Sequence, residues 1–218
     1  MTVSSRTYPI LDEGVKNRYR MTMARPRNFD EGEVLRAARD QFWSTGYAAA
    51  RVDDIASATG LGKGSLYGAF GDKHQLFLRT FDDHCGGLVE AVRRALDGPD
   101  AGAYERLRAH VLKVAEATAS DVCLRGCLLA KGTAELSEQD PAVAATARRT
   151  FAAIEELLAS CVAGAQRAGD IAPDADPARL AGLLLAVLRG IEALGKGGGS
   201  PDSLRAIAET ALAVLPRP

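Results

Sequence analysis

Lys63, Ser65 and Tyr67 follow the glycine turn Gly60-Leu61-Gly62 and bring an ammonium and two hydroxyls into one short stretch. If a helix starts at Lys63, the free backbone N–H groups of Lys63-Gly64-Ser65 and the helix dipole favour phosphate oxygens. The Lys63 ammonium reaches a guanine edge or a phosphate, and the Ser65 hydroxyl suits either role. Gly64 lets the backbone come close to a duplex, and Tyr67 offers a ring for a thymine methyl and a hydroxyl for a phosphate. Upstream lies a basic arm, Lys16, Arg18, Arg20, Arg25 and Arg27, with no acidic residue among them. Residues 76–218 carry a slight acidic excess, so the chain's net charge of −1 hides an uneven distribution that points to a polyanion near the N-terminus. Arg25 and Arg27 could reach a minor groove.

A second chemistry-bearing group is Cys123-Leu124-Arg125-Gly126-Cys127. A zinc site lacks its other ligands, since no CxxC or paired-histidine constellation accompanies the two thiols. A disulfide between them is hindered if both lie on one helix, although Gly126 could loosen that turn. Cys127 could be a reactive thiol, its pKa lowered by a helix N-terminus and by Arg125 and Lys131. It could equally be a small apolar pocket-lining residue, as Cys85 and Cys161 are simply core. His74, His84 and His110 form no triad with a serine or cysteine; His84 lies on an apolar face, and His110 could project beside Cys127. There is no P-loop, GxGxxG or HExxH, so no catalytic residue, metal or cofactor is expected.

The elements that position these groups read as helices. Aromatics make up only 6% of the 218 residues while alanine and leucine abound, which favours an all-α core over a sheet. No apolar run approaches the roughly 20 residues of a membrane span, no secretory leader is recognisable, and four cysteines do not make a disulfide framework. A cytoplasmic protein without a membrane partner is expected. Asp30 with Glu33 forms a capping-box pattern ahead of the stripe Val34, Ala38, Phe42, which stops at Gly46. Val52, Ile55, Ala56 and Thr59 make a second short stripe, and Leu66 and Phe70 face inward from a third. Three helices around a glycine turn outline a helix-turn-helix. Longer helices are expected over 72–96, 101–120, 126–138, 141–168, 177–196 and 201–215. The last three start at Asp140-Pro141, Asp176-Pro177 and Ser200-Pro201, each a cap residue before proline. The final two helices are apolar over more than one stripe, and Leu184, Leu188, Ile191, Leu204, Ala208 and Leu212 are expected to pair with a twin chain in a four-helix bundle.

The string Gly46-Tyr47, Val52-Asp53-Asp54-Ile55-Ala56, Thr59-Gly60-Leu61, Lys63-Gly64-Ser65-Leu66-Tyr67, Phe70, Lys73 and Leu76-Phe77 closely resembles the DNA-binding domain of the TetR family of bacterial transcriptional repressors. The resemblance implies a flexible arm over 1–27, a helix-turn-helix domain over 28–74 and an effector-binding and dimerisation domain over 75–218. It implies a homodimer that inserts the 63–70 helix into a palindromic double-stranded operator and leaves it when a small-molecule effector binds. Lys73 matches the family's phosphate-binding lysine, and Tyr47 would be a further backbone contact. This chain departs from the family at three places. Arg51 replaces a Ser or Thr cap, forfeiting about 1 kcal/mol but placing a cation beside DNA. Gly62 replaces a capping Ser, and Gly68 with Ala69 leaves a sparse groove-reading surface. The string Gly126-Cys127-Leu128-Leu129 with Glu135 resembles the NemR-like branch, which implies the alternative of an electrophile or oxidant sensor acting through Cys127. An effector pocket is expected among Phe81, Cys85, His110, Cys123, Cys127, Leu128 and Lys131.

Overall fold

The computed structural model describes residues 29–218, and the expectations for the arm, Arg25 and Arg27 included, fall outside them. Among the described residues every regular element is a helix: α1 (Glu31–Ala49), α2 (Val52–Thr59), α3 (Lys63–Phe70), α4 (Lys73–Leu96), α5 (Ala103–Ala119), α6 (Leu128–Leu136), α7 (Pro141–Arg167), α8 (Pro177–Lys196) and α9 (Pro201–Ala213).

Local chemistry explains most boundaries. Asp140 accepts from the N–H groups of Ala142 and Val143, Asp176 from those of Ala178 and Arg179, and Ser200 from that of Ser203. Each cap precedes a proline at the first helical position, whose missing N–H costs nothing there. Asp72 caps α4 by accepting from Gln75 N. Regular geometry in α1 breaks at Gly46 (φ +83°), where its apolar stripe ends. Gly60 (φ +67°) turns the chain between α2 and α3, and Leu61 N donates back to Ala56 O at 3.1 Å. Arg51 provides no side-chain cap for α2, and Gly62 none for α3. The α6 helix is shorter than the sequence spacing suggests: it starts at Leu128, after an irregular 120–127 segment.

Val34, Ala38, Phe42, Ile55, Leu66 and Phe70 close the core beneath the first three helices, and Leu76, Phe77 and Phe81 of α4 continue it. Phe77 meets Phe42 edge-on with ring centroids 5.1 Å apart and stacks on Phe81 at 5.5 Å. Burying side chains of this size contributes roughly 1.5–3 kcal/mol each, so one aromatic column fastens α4 to α1. The larger core of Leu107, Val111, Ile154, Leu158, Val162 and Leu188 joins α5, α7 and α8.

One sequence expectation is corrected here. Leu184, Leu188, Ile191, Leu204, Ala208 and Leu212 are each at most 5% exposed and belong to the chain's own core, so they are not free to meet a twin. The apolar stripe on α8 and α9 wraps both sides, and it is the other side, with Leu183, Leu194 and Val214, that stays exposed.

Candidate nucleic-acid interface

The short α3 helix is fixed by two inward anchors, Leu66 and Phe70, which turn its remaining residues outward. Lys63, Gly64, Ser65, Tyr67 and Gly68 are all exposed, and a Cβ added at Gly64 or Gly68 would meet nothing. The face is therefore bare backbone edged by an ammonium and two hydroxyls, as the sequence spacing suggested. Lys63 Nζ lies 2.7 Å from Asp53 Oδ1, and this contact holds the ammonium's pKa above its ordinary value. Arg51 Nη2 approaches the other oxygen of the same carboxylate at 4.0 Å. Asp53 thus shares two cations at the edge of the α3 face, a role that the sequence reading missed. Its position ten residues before Lys63 gave no local signal. Exposed pairs of this kind are weak and screened by salt, so a phosphate can take the carboxylate's place.

Tyr47 and Lys73 are less free than the resemblance implies. The Tyr47 ring packs against Phe42, His74 and Phe77. Burial, with Asp72 and Asp140 nearby, raises its phenol pKa. Lys73 Nζ sits 4.8 Å from the Tyr47 ring centroid and donates to Ala48 O at 3.2 Å. These two residues tie the start of α4 to the end of α1, which sets where α2 and α3 stand.

The end of α1 is also clamped by α6. Tyr47 N donates to Glu135 Oε2 at 2.6 Å, and a Cβ at Gly46 would overlap Glu135 Oε1. Only glycine leaves room for that carboxylate. One turn earlier on α6, Lys131 Nζ donates to Trp43 O at 2.9 Å and to Ser44 O at 3.3 Å. The Trp43 indole donates to Gly126 O at 2.8 Å, and the Arg125 guanidinium covers its ring at 4.4 Å. His84 packs on the same ring, and burial, with Arg39 nearby, lowers its pKa to about 4. The i, i+4 spacing of Lys131 and Glu135 was a readable sign that both face one way.

The expected effector pocket is corrected. Phe81, Cys85 and Leu128 are shut in the core, Cys123 is exposed, and Lys131 is turned to α1. Cys127 precedes α6 and accepts from Arg189 Nη1 at 3.1 Å. Its thiol is pushed up to about 11 by burial, with Glu192 adding to the effect and Arg189 opposing it. The expected lowering fails because burial outweighs the one nearby cation, Arg189, while Arg125 and Lys131 are turned to Trp43. Arg189 and Glu192 went unnoticed in the sequence; they pair at 2.8 Å, and Arg189 Nε is buried without a hydrogen-bond partner among the described residues. Burial, with Arg189 and Lys113 nearby, lowers the pKa of His110. No helix of the described residues is long and apolar enough to cross a membrane.

Comparison with known proteins points the same way as the geometry. Residues 34–80 match the model for bacterial regulatory proteins of the tetR family, and residues 103–211, half of the chain, match that for the tetracyclin repressor-like C-terminal domain. The chain is similar to the HTH-type transcriptional repressor ComR of Escherichia coli K12, with 27% identity over 192 residues, 88% of this chain and 91% of ComR. A cysteine mutant of the TetR family regulator CifR, solved with 26-bp double-strand operator DNA, is 29% identical with a TM-score of 0.76, covering 88% of this chain and all of CifR. Reduced E. coli NemR shares the fold at 16% identity and a TM-score of 0.75, over 86% of this chain and 97% of NemR.

Proposed function

We propose that this chain, which belongs to the TetR family of bacterial regulatory proteins, is a homodimeric repressor that leaves its operator when a small molecule binds the helical body. The observation that carries this reading is the outward face of α3, where Lys63, Gly64, Ser65, Tyr67 and Gly68 stand clear while Leu66 and Phe70 are locked inside. Such a helix fits a major groove, with its N-terminal residues at the base edges. Arg51 and the α3 N-terminus then meet phosphates, and Lys73 and Tyr47 hold the reading head in place. The protein works in the cytoplasm, on a near-palindromic site read by two copies.

The second copy packs on the exposed side of α8 and α9. A groove of about 380 Å³ lies there between Leu183, Val187, Ile207 and Val214, and Leu183 and Val214 are 43% and 57% exposed. Release requires an effector that binds a splayed arrangement of the two heads better than the DNA-bound one. The α6 contacts to Trp43, Ser44 and Tyr47 are the physical link by which a change in the body moves the head.

Thiol sensing through Cys127 is the second reading, favoured by the Arg189 contact, which would hold a negatively charged sulfur. Burial opposes it, because a thiol pushed up to about 11 is protonated at neutral pH and a poor nucleophile. Cys127→Ser separates the two: a ligand-responsive repressor keeps its response, and a thiol sensor loses its response to electrophile.

Fluorescence anisotropy on labelled duplexes from upstream of the protein's own gene tests the main reading, with a scrambled duplex and a salt series as controls. Sequence-preferring binding with a steep salt slope is expected. Lys63→Ala should weaken it roughly tenfold and relax base preference; an equal loss on every duplex makes Lys63 a phosphate contact instead. No binding at low salt sinks the reading.

A further inference from the structure

A cavity of about 330 Å³ lies between α5, α8 and the 120–127 segment, with Trp43 of α1 as one wall. Its other walls are mostly apolar, from Val114, Ala117 and Leu124, and its charged groups are Asp121, Arg125, Glu192 and Lys196. Three of these four are matched. Arg125 pairs with Asp121 at 3.3 Å, and Glu192 pairs with Arg189 at 2.8 Å. Lys196 is exposed and has no ion-pair partner among the described residues, and its aliphatic stem runs beside Gly126. A site of this size with apolar walls and one unpaired cation at its solvent side fits a small amphipathic anion.

We infer that this cavity binds a compact organic carboxylate, the acid group on Lys196 and a flat apolar body between Trp43, Val114 and Leu124. The inference rests on the effector-responsive reading above. Burial, and after it the charge of Lys196, lowers the Lys131 ammonium's pKa, so an anion at Lys196 relieves part of a repulsion at the clamp on α1. Leu124 is half-exposed, with φ +48°, and offers its side chain at the cavity wall. An occupant touches both the segment leading into α6 and the indole that fastens α1 to Gly126. Binding is thereby coupled to the position of the α1 end.

Trp43 is the chain's sole tryptophan, so its fluorescence reports the cavity directly. The full chain would be titrated with 4-isopropylbenzoate and with its neutral counterpart, 4-isopropylbenzyl alcohol, with excitation at the red edge of the indole band. Saturable change is expected for both, with the acid bound roughly two- to fivefold tighter, the range that an exposed ion pair spans. Lys196→Met should remove the preference for the acid while leaving the alcohol as before. Ala117→Phe should fill the cavity and remove both, with circular dichroism confirming that each variant folds. Equal affinities for acid and alcohol, an acid preference that survives Lys196→Met, wild-type binding in Ala117→Phe, or no saturable change at millimolar ligand each overturn the inference. Operator binding is measured separately. Ligand saturation without operator binding keeps the cavity and sinks the repressor reading, whereas operator binding without saturation does the reverse.

Discussion

The starts of α3 and α6 are alike in isolation and opposite in use. Neither carries a side-chain cap: Gly62 precedes one and Cys127 the other. At α3 the helix end opens outward beside exposed Lys63 and Ser65, so its dipole remains available to an approaching phosphate. At α6 the helix end lies inside, against Arg189 and Glu192. There the dipole should favour a thiolate, yet burial wins and the Cys127 thiol moves up to about 11. An uncapped N-terminus is thus a weak guide on its own; what surrounds it decides whether it recruits an anion or suppresses one.

The largest test of that contrast uses pH and the buried side of the molecule. His84 lies against Trp43, with a folded-state pKa near 4 set first by burial and then by Arg39, against Asp83. Well above pH 6.5 it is neutral whether folded or unfolded and contributes no pH dependence. Between 6.5 and 4 the unfolded chain takes up the proton and the folded chain does not, so stability falls as pH falls. The loss reaches about 3 kcal/mol by pH 4. Denaturant unfolding at pH 7 and pH 4.5 should show the wild type losing more stability than His84→Phe. Equal losses in the two proteins would falsify the assignment.

A smaller effect is expected at the clamp between the two regions. Glu135→Ala removes the acceptor of Tyr47 N–H and should cost about 1 kcal/mol, because the carboxylate is exposed and water partly replaces it. Calorimetry should record a drop of a few degrees in Tm, roughly 2–4 °C for a chain of this length. Glu135→Gln keeps an acceptor and should lose less. Operator affinity in the absence of ligand should also fall in Glu135→Ala, since the end of α1 is no longer pinned. An unchanged affinity would mean that Lys131 and Lys73 suffice to hold the head.

How much of this was legible in the sequence follows from how local each cause is. The starts of α7, α8 and α9 were readable because a cap and a proline are neighbours in the chain. That Leu66 and Phe70 of α3 face inward was readable from helical period, whereas the outward use of Lys63 and Tyr67, which the same period sets beside them, rested on the family resemblance. The dimer face was misread because a stripe wide enough to cover two sides of a helix does not say which side turns inward. Leu184 and Leu188 went to the core and Leu183 to the outside, one residue apart. The Cys127 environment was illegible for another reason. Its controlling partners, Arg189 and Glu192, lie on α8, and the Arg189 contact spans a sequence separation of 62 residues. No local pattern announces a partner at that range.

The finest test lies at the exposed end and concerns a residue that no DNA model would nominate. Asp53 holds Lys63 Nζ at 2.7 Å and stands near Arg51, so a duplex must displace it to use either cation fully. Asp53→Asn keeps the shape, removes the competing charge and also removes one repulsion toward phosphate. Operator affinity should rise roughly two- to fivefold at low salt, the range that exposed pairs span, and the gain should shrink as salt rises. Because Asp53 also sits in the first turn of α2, where a negative charge favours the helix, stability should drop slightly in the same variant. Affinity and stability moving in opposite directions is the signature of a carboxylate that guards the reading face. If both fall together, Asp53 instead orients Lys63 toward the groove, and the ion pair is part of the recognition surface rather than a competitor for it.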